Sequence, residues 1–139
     1  MAAMLRAVRV VEIEGSVAGG YAAKLLADHG AAVTKVAGRE PASIGWTAAM
    51  RRYLDRAKSA AGSIGDPGWA DLIDSADIVI QSSAPDPLVP IDRRVADPAR
   101  IDVEISPFGS TGPWADRRST DLTDQAVSGH LFLNGDPER

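Results

Sequence analysis

The residues of this chain best suited to chemistry gather in the stretch 104–129, EISPFGSTGPWADRRSTDLTDQAVSG. Its turn-forming cluster, Ser106-Pro107-Phe108-Gly109-Ser110-Thr111-Gly112-Pro113, places two glycines and two prolines within seven residues. Such a composition fixes unusual backbone angles and exposes N–H groups, as loops that close on ligands require. Carboxylates follow at Asp121, Asp124 and Asp136. Asp121 reads as an N-terminal helix residue with a capping or packing role, and Asp136, within Gly-Asp-Pro, as a turn residue. The two histidines, His29 and His130, lie about a hundred positions apart with no ligand spacing around them, which disfavours a metal site. His29 precedes Gly30 at an expected helix end, where a partly protonated imidazole suits the dipole. Cysteine is absent, so neither a disulfide framework nor a thiolate metal site can form.

The elements that must position these groups can be read from periodicity. Val8, Val10, Val11 and Ile13 form a β-branched run ended by Glu14-Gly15, a buried first strand. A helix over 18–29 carries Tyr21, Ala22, Leu25 and Leu26 on one face and ends at Gly30, a left-handed cap. Residues 32–37 return as a second strand, completing a βαβ unit with parallel strands. The stretch 38–65 is less regular and holds Trp46 and the basic group Arg51, Arg52, Arg56 and Lys58. Asp66-Pro67 should open a helix running to Ala76. A third strand is expected at 77–81, a proline-rich loop at 82–90 and one or two helical turns at 91–96. Ile101, Val103 and Ile105 alternate with Asp102 and Glu104 as a fourth strand. Residues 120–133 read as helix, weakened in its second half by Gly129. The expected fold class is therefore α/β: a Rossmann-like open parallel sheet with helices on both faces.

The chain has 139 residues, 45% of them hydrophobic, enough for one core and one domain. A net charge of −4 and a pI near 5.1 argue against a nucleic-acid partner. A polyanionic small ligand remains compatible, because a few local Arg and Lys residues suffice to hold phosphates. No apolar run approaches the roughly 18–20 residues that span a bilayer, and no signal-peptide pattern opens the chain. A cytoplasmic protein without a membrane partner is the expectation.

Four blocks, in order, resemble the family III CoA-transferases, the group that includes carnitine and formyl CoA-transferases and the 2-methylacyl-CoA racemases. The first spans 8–37, with its turn Ser16-Val17-Ala18-Gly19-Gly20-Tyr21, the run LLADHGA and the strand with TKV. The second, Leu54-Asp55-Arg56-Ala57-Lys58-Ser59, is similar to a family segment usually reading Leu-Asn-Arg-Gly-Lys-Arg/Ser. The third is 71–80, and the fourth is the stretch 104–129. This chain departs from the pattern after the third strand: Gln81-Ser82-Ser83-Ala84-Pro85-Asp86 stands where Glu-Asn-Phe-Arg-Pro-Gly is usual, followed by a shorter connection.

The resemblance implies a CoA-binding N-terminal domain over 1–139, incomplete relative to the family, with CoA or acyl-CoA as ligand and no metal. The implied partner is a second copy of the chain or a C-terminal portion. In the family an aspartate attacks an acyl-CoA thioester and later carries CoA as an enzyme thioester. By this resemblance the aspartate falls beyond Arg139, and the polar run 133–139 reads as the mark of a truncated chain, so no catalytic residue is expected here. Ser16, Val17 and Ala18 correspond to the turn that brings backbone to the ligand at a sheet edge and helix N-terminus. Arg39 is suited to stack on adenine or pair with a 3′-phosphate, Lys58 to meet a phosphate, and Ser82 to replace the missing Asn. The alternative for each basic residue is a solvated face. Trp46, Trp69 and Trp114 read as packing or interface residues rather than ligand stackers. The racemase branch needs a histidine directly before Asp121, where this chain has Thr120, which cannot shuttle a proton near neutral pH. A module that binds CoA or supports assembly without chemistry of its own is the rival reading.

Overall fold

A computed structural model of the chain describes residues 4–13, 15–38, 47–82 and 99–134. Their elements run β1 (Arg9–Ile13), α1 (Val17–Asp28), β2 (Ala32–Ala37), α2 (Ala48–Leu54), β3 (Ser59–Ser63), α3 (Trp69–Asp74), β4 (Ile78–Gln81), β5 (Ile101–Glu104), α4 (Asp121–Val127) and α5 (His130–Leu133). All five strands are parallel, in the order β3-β2-β1-β4-β5. The chain winds outward from β1 through β2 to β3, then crosses back to β4 and β5. A switch point therefore lies between the carboxyl ends of β1 and β4, the place where open α/β sheets bind ligands.

Strand periodicity explains the two-sided core. On β1, Val11 and Ile13 join Val36, Ile73, Ala76 and Val79 under α3, with Trp69 and Leu72 packed on them. Val10 points the other way and joins Val33 and Ile80 with Ala23 and Ala27 of α1. Helices thus cover both faces, as an all-parallel sheet requires. Arg9 and Asp77 tie the starts of β1 and β4 together, with a guanidinium-to-carboxylate distance of 3.2 Å.

Several boundaries differ from the sequence reading. β3 was not anticipated: its sequence SAAGS lacks large apolar residues, and all five positions are exposed because it is an edge strand. α2 likewise lay hidden in the basic stretch, started by Thr47, whose hydroxyl accepts from the Met50 N–H at 3.1 Å. The helix expected from Asp66-Pro67 begins later, at Trp69, because the Asp66 carboxylate turns back to accept from the Ser63 N–H at 2.6 Å. The helix expected over 120–133 is divided into α4 and α5 at Gly129, whose φ is 79°. Gly30, with φ 99°, ends the first turn sequence as expected. The loop at 83–90 and the helical turns at 91–96 lie outside the described residues.

α4 and α5 pack on each other, and neither contains a buried residue. Among the described residues no helix is long and apolar enough to cross a membrane.

Among the described residues, one non-glycine backbone position has a left-handed φ. Ala57, between α2 and β3, has φ 67°, a left-handed conformation that costs a residue with a Cβ about 1–2 kcal/mol. Replacing it with Gly relieves that contact but gives the unfolded chain more freedom to lose. The expected outcome for Ala57→Gly is a net gain of about 0.5–1 kcal/mol in urea unfolding. A loss of stability would mean that the angle is not strained.

Candidate functional site

The switch point is built by two glycines and two serines. Ser16 caps α1, its hydroxyl accepting from the Gly19 N–H at 3.1 Å. Val17 and Ala18 form the exposed start of the helix. A Cβ on Gly15 would stand 1.8 Å from the Ser82 carbonyl oxygen, and one on Gly19 would stand 2.5 Å from the Ser82 Oγ. Only residues without side chains allow the β1–α1 turn to lie this close to the end of β4. Ser82 is 6% exposed, and its hydroxyl finds no hydrogen-bond partner among the described residues. A buried unsatisfied hydroxyl costs about 1–3 kcal/mol. Here it sits against the first turn of α1, the positive end of a twelve-residue helix, where an anionic ligand is favoured.

Beneath this turn lies a buried ion pair. The Lys58 Nζ donates to Glu12 Oε2 at 2.6 Å and to the Gly20 carbonyl at 2.8 Å. The two side chains are 1% and 2% exposed. Beside them Lys35 donates to both oxygens of Asp55, at 3.0 and 2.9 Å. Glu12 and Lys35 are register partners on adjacent strands, so the four charges form one group. Burial pushes the Glu12 carboxyl above its ordinary value, against the opposing pull of Lys58 and then Lys35, while Asp55 adds to the rise. An open depression of about 240 Å³ borders this group, lined by Lys35, Asp55 and Lys58 with Ala37, Ser59 and Gly62.

The residues expected from sequence are thus distributed unevenly. Ser16, Val17, Ala18 and Ser82 come together at the crevice. Lys58, read as a point charge for a phosphate, is directed inward instead, its ammonium already shared between a carboxylate and a carbonyl. Arg39 and Trp46 lie outside the described residues. Trp69 packs on the core, whereas Trp114 is 46% exposed, edge-to-face with Phe108 at 5.6 Å and with the Arg117 guanidinium 5.6 Å above it. Phe108 and Trp114, with Pro107, Thr111, Pro113 and Val127, line an open depression of about 400 Å³. Thr120, not Asp121, caps α4: its hydroxyl accepts from the Thr123 N–H, while the Thr123 hydroxyl accepts from the Thr120 N–H. Asp121 accepts from Gln125 at 2.7 Å. His130 contacts Asn134 at 2.8 Å. No group of three metal-ligating side chains occurs among the described residues.

Sequence reasoning missed Glu12, Gly15, Gly19 and Lys35. Glu12 had a signal, since an acidic residue inside the run VVEI must find a partner once the strand is buried.

Fold and crevice together define an open parallel α/β fold in which the start of α1 lies against the end of β4 at the switch point. Residues 5–139 match the model of CoA-transferase family III, and the chain belongs to that family. It is 31% identical, over 159 aligned residues, to the succinate–glutarate CoA-transferase of Agrobacterium fabrum, covering 96% of this chain and 40% of that protein. The alignment exceeds the chain's own length, so the relative carries segments with no counterpart here. A CaiB/BaiF family protein from Brucella suis superposes with a TM-score of 0.77 at 26% identity, over 100% of this chain and 43% of that one. The Mycobacterium tuberculosis protein Rv3272 superposes with a TM-score of 0.71 at 27% identity, over 97% and 41%. The chain thus spans about two fifths of the length of these relatives.

The buried carboxylate gives a pH signature. A folded-state value raised above the ordinary 4.5 means that the stabilising contribution of Glu12 is present below about that pH and lost as pH rises through the folded value. Glu12→Gln removes this titration while keeping an acceptor for Lys58. Urea unfolding from pH 4.5 upward should therefore show the wild-type chain losing stability relative to the variant. Parallel curves would place Glu12 at its ordinary value.

Proposed function

We propose that this chain is the coenzyme-binding portion of an enzyme that moves CoA between carboxylic acids. The observation that supports it most is the orphaned Ser82 hydroxyl, buried against the glycine-lined start of α1. A CoA phosphate or the pantetheine amide supplies the missing partner, and the exposed N–H groups of Val17 and Ala18 complete the cradle. Arg39, following β2, is assigned to the adenosine end by stacking or by pairing with the 3′-phosphate. Ser16 acts on the ligand only through the helix start that it caps.

In this reading the attacking aspartate comes from the part of the protein that the relatives carry beyond the matched segment. Its carboxylate adds to the acyl-CoA thioester and expels CoA thiolate, leaving a mixed anhydride. The thiolate then attacks the enzyme acyl carbon, releasing the donor acid and forming an aspartyl-CoA thioester. The acceptor carboxylate attacks the aspartyl-CoA thioester and expels CoA thiolate, leaving a second mixed anhydride. The thiolate then attacks the acceptor's acyl carbon, forming the new CoA ester and freeing the aspartate. This domain contributes grip on CoA, which keeps the thiolate near between steps.

A second reading, a CoA-binding or assembly module without its own chemistry, draws support from α4 and α5. Leu122, Val127, Phe132 and Leu133 are 57–84% exposed there, an apolar surface suited to a second copy or a C-terminal portion. The racemase reading is disfavoured: Thr120, where that branch has its base, is engaged as a helix cap.

Titration calorimetry with CoA tests the binding claim directly. Ser82→Ala should weaken CoA about tenfold, the worth of a hydrogen bond to a charged group, while leaving folding stability equal or higher. Arg39→Ala should weaken CoA but not pantetheine. Absence of heat from folded wild-type protein at high micromolar CoA would reject the reading.

A further inference from the structure

Lys58 bonds three separate parts of the chain at once. Its own backbone precedes β3, its ammonium meets Glu12 on β1 at 2.6 Å, and it also meets the Gly20 carbonyl in the first turn of α1 at 2.8 Å. A lysine whose side chain is 1% exposed has no solvent to return to, so these bonds fix its position. The residue before it, Ala57, is held in a left-handed conformation that a Cβ disfavours. Such strain persists where the surroundings over-determine it, and here it turns Lys58 inward toward α1. The turn that Lys58 grips is the one whose Gly19 lies against the Ser82 hydroxyl.

We propose that Lys58, held by Glu12, is a positioning residue that anchors the first turn of α1 against β4 and so sets the width of the coenzyme crevice. This rests on the binding role proposed above, but the clamp itself is independent of any ligand. It assigns Lys58 a different task from phosphate contact. The ammonium neutralises a buried carboxylate and holds a carbonyl, and the ligand feels it only through the position of the Ser16–Gly20 turn. Glu12 holds the ammonium from the β1 side while the Gly20 carbonyl holds it from α1.

The experiment compares wild type, Lys58→Met and Glu12→Gln in two measurements. The first is hydrogen exchange at the Gly19 and Gly20 amides, which are bonded to the Ser16 hydroxyl and carbonyl, each at 3.1 Å. Lys58→Met should speed exchange there at least tenfold while the Val11 and Ile80 amides of β1 and β4 keep their protection. The second is calorimetric titration with CoA and with 3′-dephospho-CoA. A positioning residue predicts that both ligands weaken by the same factor, about tenfold, in Lys58→Met and by a smaller shared factor in Glu12→Gln.

Loss confined to CoA would make Lys58 a direct phosphate ligand and overturn the proposal. Unchanged exchange at Gly19 and Gly20 in folded Lys58→Met would overturn it as well. If Lys58→Met does not fold, Glu12→Gln decides alone: faster exchange confined to this turn supports the clamp, and none rejects it. If wild-type protein binds neither ligand, the CoA reading fails while the exchange measurement still decides the clamp.

Discussion

The arrangement depends on a carboxylate placed where water cannot reach it. β1 is the middle strand of an all-parallel sheet, so both its faces are covered by helices. A charge at Glu12 therefore has to be answered by another protein group. Lys58 comes from 46 positions away to do so. Removing one member of such a pair costs about 3–5 kcal/mol, because the survivor stays buried and uncompensated. The pair dictates much of its surroundings. The α2–β3 turn passes through a left-handed Ala57 just before Lys58, whose ammonium reaches the Gly20 carbonyl of α1. Lys35 and Asp55 then pair next to it, which leaves the local charge balanced.

The crevice above this pair makes the opposite bargain. A Cβ on Gly15 would collide with the Ser82 backbone and one on Gly19 with its hydroxyl, yet that enclosed hydroxyl has no partner among the described residues. Packing alone favours an alanine there. An enclosed, unsatisfied hydroxyl beside a helix N-terminus is understandable if an occupant supplies the missing hydrogen bond.

How far the sequence revealed this differs from residue to residue. The βαβ opening was readable from β-branched Val10, Val11 and Ile13 and from Gly30 after the helix, but the face of α1 was not. Tyr21 and Leu25, expected to pack, are exposed, and α1 packs on the sheet through Gly19, Gly20, Ala23 and Ala27, small residues that let the helix lie close. β3 was not, since an exposed edge strand needs no apolar side chains and SAAGS resembles a loop. α2 was obscured in the same way, with only Leu54 buried. At the site, Ser16 and Ser82 could be named through the family resemblance, the first in its opening turn and the second where the family has an asparagine. The direction of Lys58 could not, because a lysine in a basic stretch looks solvated until a distant strand presents an unpaired carboxylate. Pairing across 46 residues is a property of the topology, and local patterns do not contain it.

The part of the chain after β5 obeys a different physics from the sheet. Both hydrophobic clusters are built from residues before Ser106, and α4 and α5 add nothing to either. Helices of seven and four residues are too short to persist on propensity alone, even with a reciprocal Thr120–Thr123 cap. Their order needs contacts that the sheet does not offer, while Leu122, Phe132 and Leu133 present apolar surface to solvent. The glycines at 109, 112 and 129, all at positive φ, set the path of this segment away from the core. A sheet carrying its own two-sided core and a C-terminal segment without one are what a division of labour demands. The first is packed on both faces by its own residues, whereas the apolar side chains of the second stay exposed among the described residues.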